Sequence, residues 1–248
     1  MVEGLVVGVA GVVLAVVHTW PLARTLRTTV PGDTGDPMLI SWQLAWAGRL
    51  LRGGGGDFWT TPAFMGTPDN LAFTDVTLGY APLTFVSGEG FTGAVVQMNL
   101  AVLVAAALAF VGGYVLARVI GARVPGALVA GAALAFAPWR SGQVTHLNVY
   151  SIGGIALALG LLVRGHGWSA REGFRRDRVS PGWVLAGWVV AAWQLSLGFA
   201  TGIVFGYVLG LVVVLLLLGW AVRFGRPHPA VPCWRRPSAG LRSPSSSG

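Results

Sequence analysis

Two aspartates stand three residues apart in a glycine-rich stretch, Gly32-Asp33-Thr34-Gly35-Asp36-Pro37. A carboxylate at a membrane surface and in front of a helix can be tuned toward proton abstraction by partial burial and by the helix dipole. Either Asp33 or Asp36 could therefore serve as a general base. The same spacing is also typical of a turn followed by a helix N-cap, and this structural interpretation stays open.

Further polar residues of a candidate site lie in two other stretches. Asp75 follows a turn, and a group of acids formed with Asp33 or Asp36 could bind Mg²⁺ or Mn²⁺, although the spacing indicates no particular metal. Arg140 and His146 lie in one short connection. An arginine fork suits a phosphate, and histidine can donate to a phosphate oxygen. Both residues could equally be anchors at the membrane interface.

Composition indicates which elements hold these residues. Hydrophobic residues make up 54% of the chain and charged residues 10%, which is more apolar surface than a soluble domain of 248 residues could bury. The formal charge of +8 does not indicate nucleic-acid binding, because no basic face is interleaved with aromatic residues. We therefore expect an all-α, polytopic bundle of transmembrane helices.

Six apolar runs approach the length of about 20 residues that a spanning helix needs. They cover residues 4–22, 93–117, 124–138, 147–163, 183–197 and 201–220 of a membrane domain that occupies 1–225. Residues 226–248 are rich in Pro, Ser and Arg, and we expect a disordered or aberrant tail there, consistent with a truncated or frame-shifted gene.

The arginines predict how these helices are oriented, since cytoplasmic loops are enriched in basic residues. Connections predicted to be cytoplasmic contain Arg118, Arg123, Arg164, Arg171, Arg175, Arg176, Arg178, Arg223 and Arg226. Both termini are then cytoplasmic in a plasma membrane, and the long loop 23–92 lies outside. That loop holds six of the nine acidic residues: Asp33, Asp36, Asp57, Asp69, Asp75 and Glu89.

Within the outer loop, residues 37–52 predict a helix capped by Asp36 that lies along the membrane surface. Pro37 at the first helical position favours the same start. One face of this helix is apolar and the opposite one is small or polar. The apolar face contains Leu39, Trp42, Trp46 and Leu50, and the other face contains Ser41, Ala45, Gly48 and Arg52.

The order of these motifs resembles the N-terminal half of the polytopic C-type (GT-C) membrane glycosyltransferases, especially their bacterial members. The motifs are GDTGDPMLISWQLAW, FMGTPDNLAFTDVTLGYAPL, YVLARVIGA and ALAFAPWRSGQVTHLN, and the resemblance covers roughly residues 1–220. The family usually has several more helices, which fits a truncated member. Its adjacent Asp-Glu pair is here Asp-x-x-Asp, so either aspartate could take the base's place.

The resemblance implies an inverting sugar transfer from a polyprenyl-phosphate donor to an unidentified acceptor at the outer face. Asp36 or Asp33 would be the catalytic base, Asp75 a second acidic residue that binds substrate, and Arg140 and His146 would hold the donor phosphate. The alternative is a non-catalytic membrane protein, either a transporter component or an assembly scaffold. A transporter is expected to bury ionisable residues inside its helices or to show inverted repeats, and neither pattern is present.

Overall fold

A computed structural model describes residues 2–224 of the protein. The predicted tail at 226–248 lies outside these residues. The chain divides into two compact units, of which the first ends at Tyr207 and the second begins at Val208. The candidate site belongs entirely to the first unit.

The described chain is mostly helical. Its α-helices are α1 (Val2–His18), α2 (Asp36–Leu51), α3 (Thr84–Ser87), α4 (Gly90–Ile120), α5 (Val124–Phe136), α6 (Pro138–Ser141), α7 (Leu147–Tyr150), α8 (Gly153–Gly165), α9 (Pro181–Leu197) and α10 (Phe199–Phe224). Short 3-10 segments occupy Leu22–Arg24, Phe64–Gly66, Asn70–Phe73 and Leu78–Leu83.

Three helical stretches are long and apolar enough to cross a membrane: Gly90–Ile120, Leu147–Gly165 and Phe199–Val222. They fit the predicted membrane protein. Helices also occupy the other three predicted spans, but α1, α5 and α9 have only 17, 13 and 17 residues. The count of about six spans, and the side on which each loop lies, stay predictions.

Helix α4 is the centre of the first unit, and it packs against α1, α2, α5 and α8. Small residues along it let its neighbours approach closely. A Cβ atom on Gly113 would lie 3.1 Å from the Cα of Gly131 in α5, and one on Gly153 of α8 would overlap the backbone of Ala109. The helix ends at Gly121, whose φ of 118° is typical of a glycine C-cap.

The arginine-rich connection between α8 and α9 is a β-hairpin, which the all-α prediction missed. Strand β1 (His166–Ser169) pairs antiparallel with β2 (Gly173–Val179), with Ser169 opposite Gly173. Gly173 has a φ of 67° at the turn. Since six of the seven β2 residues are exposed, this strand lacks the alternation of buried and exposed positions by which a sequence pattern predicts strands.

Helix α2 differs from its prediction in its cap and in its buried face. It begins at Asp36, Gly35 is the N-cap residue, and no side chain caps it. The buried positions include Ile40, Leu44, Ala47 and Gly48, whereas Leu39 of the predicted apolar face is 43% exposed. Of the predicted small face, Ser41 and Gly48 are buried, because α4 and the 3-10 segment Leu78–Leu83 pack against α2. A Cβ atom on Gly48 would overlap Thr84.

Candidate functional site

The outer loop and the connection between α6 and α7 meet at Asp36 and His146. The Oδ2 atom of Asp36 lies 3.3 Å from Nε2 of His146. Asp36 is the first residue of α2, and His146 directly precedes α7, so a helix start positions each side chain. Their side chains are 54% and 46% exposed, which leaves the pair open to a ligand.

Near this pair, the backbone of Gly32 closely approaches the side chain of Thr145, the residue before His146. Gly32 has a φ of 71°, and a Cβ atom there would overlap the Cγ2 methyl group of Thr145. Glycine satisfies both requirements, since it adopts positive φ without strain and leaves room for the threonine. The contact between Gly32 and Thr145 thus joins the two segments that carry Asp36 and His146.

The polar neighbours of the two ring nitrogens of His146 favour one tautomer of its neutral imidazole ring. Its Nδ1 atom lies 2.9 Å from the Oγ1 hydroxyl of Thr145, and its Nε2 atom faces the carboxylate of Asp36. A carboxylate oxygen 3.3 Å away favours a proton on Nε2 over a lone pair there, because the oxygen can only accept. Nδ1 of the neutral ring then accepts from the Thr145 hydroxyl.

Asp33 shapes the turn that leads into α2. Its Oδ1 atom accepts a 2.8 Å hydrogen bond from the backbone N–H of Gly35, as in an Asx turn. The residue is exposed and forms no ion pair with any described residue. Of the two aspartates, the structure therefore brings Asp36 to His146 and leaves Asp33 as a turn residue beside it.

Asp75 is an N-terminal cap of α10 and connects three elements. Its Oδ1 atom accepts hydrogen bonds of 2.7 Å and 3.3 Å from the N–H groups of Phe199 and Ala200. Its Oδ2 atom accepts a 2.7 Å bond from the side-chain amide of Asn148 in α7. Both carboxylate oxygens are bonded within the protein, which is a structural arrangement typical of a helix cap.

Arg140 is fully buried, with none of its surface exposed. Its Nε atom donates to the carbonyl of Ala135 at 2.9 Å, and its Nη2 atom donates to the carbonyl of Tyr150 at 2.7 Å. Its guanidinium also lies 4.2 Å from the centre of the Tyr150 ring. Burial lowers the pKa of Arg140. The side chain thus joins α5, which holds Ala135, to α7, which holds Tyr150, on either side of the connection that carries His146. It forms no ion pair with an aspartate of the described chain.

A cavity of about 300 Å³ lies between the start of the outer loop and this connection. Its polar lining residues are His18, Thr19, Thr25, Thr29, Ser141 and Tyr150. The hydroxyl of Tyr150 and the Nη1 atom of Arg140 are buried without a hydrogen-bond partner in the described chain. Of these two unused donors, the Tyr150 hydroxyl belongs to a residue that lines the cavity, whereas Arg140 lies behind the lining residues.

Sequence reasoning missed Thr145, Asn148 and Tyr150 as parts of this region. For Thr145 and Asn148 a signal was available, since both lie within two residues of His146 in the polar connection that begins at Arg140. Within residues 2–224, no three His, Cys, Asp or Glu side chains lie together as a potential metal site.

Comparisons with protein-family models, curated proteins and solved structures found no match to this chain.

Proposed function

We propose that the protein is a membrane glycosyltransferase that uses a polyprenyl-phosphate-linked sugar, or a truncated form of such an enzyme, at the outer face of a bacterial plasma membrane. An acceptor hydroxyl attacks the anomeric carbon of the donor. The bond between that carbon and the phosphate oxygen breaks, polyprenyl phosphate leaves, and the acceptor's proton passes to the base. The stereochemistry at the anomeric carbon is inverted.

The contact between Asp36 and His146 supports this proposal more than any other observation. His146 holds Oδ2 of Asp36. The Oδ1 atom has no hydrogen bond within the described chain and is free to accept a proton. A positioned general base of this kind contributes about 10²- to 10⁴-fold to a rate. Asp36 is therefore our choice for the base over Asp33, whose Oδ1 atom is bonded to Gly35.

The leaving phosphate needs hydrogen-bond donors or positive charge. The cavity between the start of the outer loop and the connection that carries His146 is lined by the hydroxyl-bearing residues Thr25, Thr29, Ser141 and Tyr150. Arg140 covers the ring of Tyr150 and retains an unpaired Nη1 atom. We place the donor phosphate in this cavity, with Arg140 acting mainly as a positioning residue for the connection that carries His146.

The test compares Asp36→Asn with Asp33→Asn in membranes that contain the full chain, supplied with a panel of radiolabelled polyprenyl-phosphate sugars. Loss of the base should reduce the release of polyprenyl phosphate by about 100-fold or more in Asp36→Asn. Asp33→Asn should retain most activity, since the side-chain oxygen of Asn can still accept the hydrogen bond from the N–H group of Gly35. Equal, undiminished release from both variants would leave the non-catalytic alternative as the better explanation.

A further inference from the structure

A second cavity, of about 600 Å³, lies where α4 and α8 end and α9 begins. Both strands of the β-hairpin contribute to its lining, together with Gly121 and Ala122 after α4. The proposed transfer reaction uses none of these residues.

The charge of this cavity is strongly positive. Four arginines and one glutamate line it, so that positive charges exceed negative ones by three. These residues are Arg118, Arg164, Arg171, Arg178 and Glu172. Such a concentration of guanidinium groups favours an anion with several acceptor oxygens, because each guanidinium can form two parallel hydrogen bonds to it.

Two of the four arginines already have anionic partners. Arg118 donates to Glu3 at 2.9 Å, and Arg178 lies 2.8 Å from Glu172. Arg164 and Arg171 form no hydrogen bond or ion pair with any residue in the described part of the chain. Their five N–H donors each remain available for a ligand.

The arrangement of these two side chains is nevertheless defined. The guanidinium of Arg164 lies 5.1 Å from the ring centre of Trp183, within the range of a cation–π contact. A Cβ atom on Gly121 would lie 2.8 Å from Cγ of Arg171, so the arginine stem packs on the glycine that ends α4. Contacts to the fold thus hold both cations in the wall of the cavity.

The cavity also lies at the edge of the apolar part of the molecule. Two of the stretches long enough to cross a membrane, Gly90–Ile120 and Leu147–Gly165, end beside it. Trp168 and Trp183 line it and are 45% and 42% exposed. Indole rings are enriched at the level of lipid headgroups, and basic pockets between helices on the cytoplasmic side bind anionic headgroups.

We propose that this cavity binds the phosphate group of an anionic phospholipid, with Arg164 and Arg171 as its ligands and the two tryptophans beside the glycerol region. The position at a helix end favours a lipid over a soluble phosphate, because α9 begins beside the cavity and exposes Leu185, Trp188 and Val189, along which acyl chains can extend. The site would tie the hairpin to the membrane surface.

The test is native mass spectrometry of the full chain, purified in a neutral detergent and titrated with phosphatidylglycerol. The double variant Arg164→Gln/Arg171→Gln should bind this lipid at least about tenfold more weakly than the unaltered chain. The matched control is Arg123→Gln/Arg176→Gln. It removes two charges from the same predicted side but outside the cavity, and it should change binding by less than about twofold.

Two further arms decide the remaining outcomes. Arg164→Lys/Arg171→Lys keeps both charges but loses the planar guanidinium groups, so its affinity for the lipid should lie between those of the unaltered chain and the glutamine variant. A normal melting temperature of this variant would show that the weaker binding does not come from lost folding. Inorganic pyrophosphate at millimolar concentration should not displace the lipid. Equal weakening in the cavity and control variants would overturn the proposal, as would displacement by pyrophosphate, which would identify a soluble phosphate as the ligand.

Discussion

Asn148 donates a 2.7 Å hydrogen bond to Asp75, and the same carboxylate caps the first turn of α10. One outer-loop side chain therefore holds two elements that follow it by 73 and 124 positions in the chain. His146, two residues before Asn148, contacts the same loop again at Asp36. These two contacts join the outer loop to the connection that carries His146.

Replacing Asp75 with Asn should destabilise the protein. The variant loses the charge at the N-terminus of α10 and one acceptor for Asn148, and such a change costs roughly 1 to 2 kcal/mol. Thermal unfolding of the purified chain, followed by circular dichroism, measures this. Asp69→Asn is the control, since Asn tolerates the φ of 54° found at Asp69 and its side chain caps no helix. Identical melting of the two variants would contradict the cap.

Arg140→Lys should be more damaging than its retained charge implies. A lysine ammonium cannot donate to the carbonyls of Ala135 and Tyr150 with the geometry of a planar fork, and a buried acceptor left unpaired is costly. We expect a loss of roughly 2 to 4 kcal/mol in the free energy of unfolding. Denaturant titration gives the value, with exposed Arg123→Lys as the reference. A loss no greater than that of the reference would show that the two carbonyl bonds are unimportant.

Gly32→Ala should separate the outer loop from Thr145. The added methyl overlaps Cγ2 of Thr145, and the φ of 71° is strained for alanine. Gly53→Ala isolates the strain alone, because Gly53 has a φ of 86° but open space around it. We expect a lower melting temperature for Gly32→Ala than for Gly53→Ala. Thr145→Ser, which lacks the overlapping methyl, should restore part of the difference, and a failure to do so would rule out the steric explanation.

Neutral His146 should carry its proton on Nε2. Nitrogen-15 NMR of histidine-labelled protein distinguishes the two tautomers, and the signal is assigned by its absence from His146→Gln. Thr145→Val removes the hydroxyl that bonds Nδ1 and should change the chemical shifts of the ring nitrogens. Thr28→Val is the control and should leave these shifts unchanged, because the Thr28 hydroxyl donates to the carbonyl of Thr25 and not to the ring. A proton found on Nδ1 would contradict the contact between Nε2 and Asp36.

The sequence could predict those features that depend on apolar composition. Each of the six predicted apolar runs contains a helix, because a stretch such as 93–117 has few charged residues and must be buried in protein or lipid. Only three of these helical stretches in the described part of the chain are long and apolar enough to cross a membrane. The meeting of Asp36 with His146 could also be anticipated, since the predicted topology places both loops on one side of the membrane.

Other features depend on contacts that no local pattern encodes. Asp75 caps a helix whose first N–H group is 124 residues away, so its neighbourhood in the chain showed only a loop aspartate. Buried Arg140 contacts the carbonyls of Ala135 and Tyr150 and the ring of Tyr150. A sequence shows that residue 150 is a tyrosine, but it does not show which backbone carbonyls an arginine will meet. The buried face of α2 depends on α4 and the Leu78–Leu83 segment, which pack against it from distant parts of the chain.

Helices α9 and α10 are separated by Gly198 alone, and a Cβ atom on that glycine would overlap the backbone carbonyl of Asn148. Because Gly198 packs so closely against Asn148, the junction between α9 and α10 has little room to change its conformation. A movement of the outer loop at Asp75 would therefore be transmitted to the N–H groups of Phe199 and Ala200, and the first turn of α10 would have to move with it.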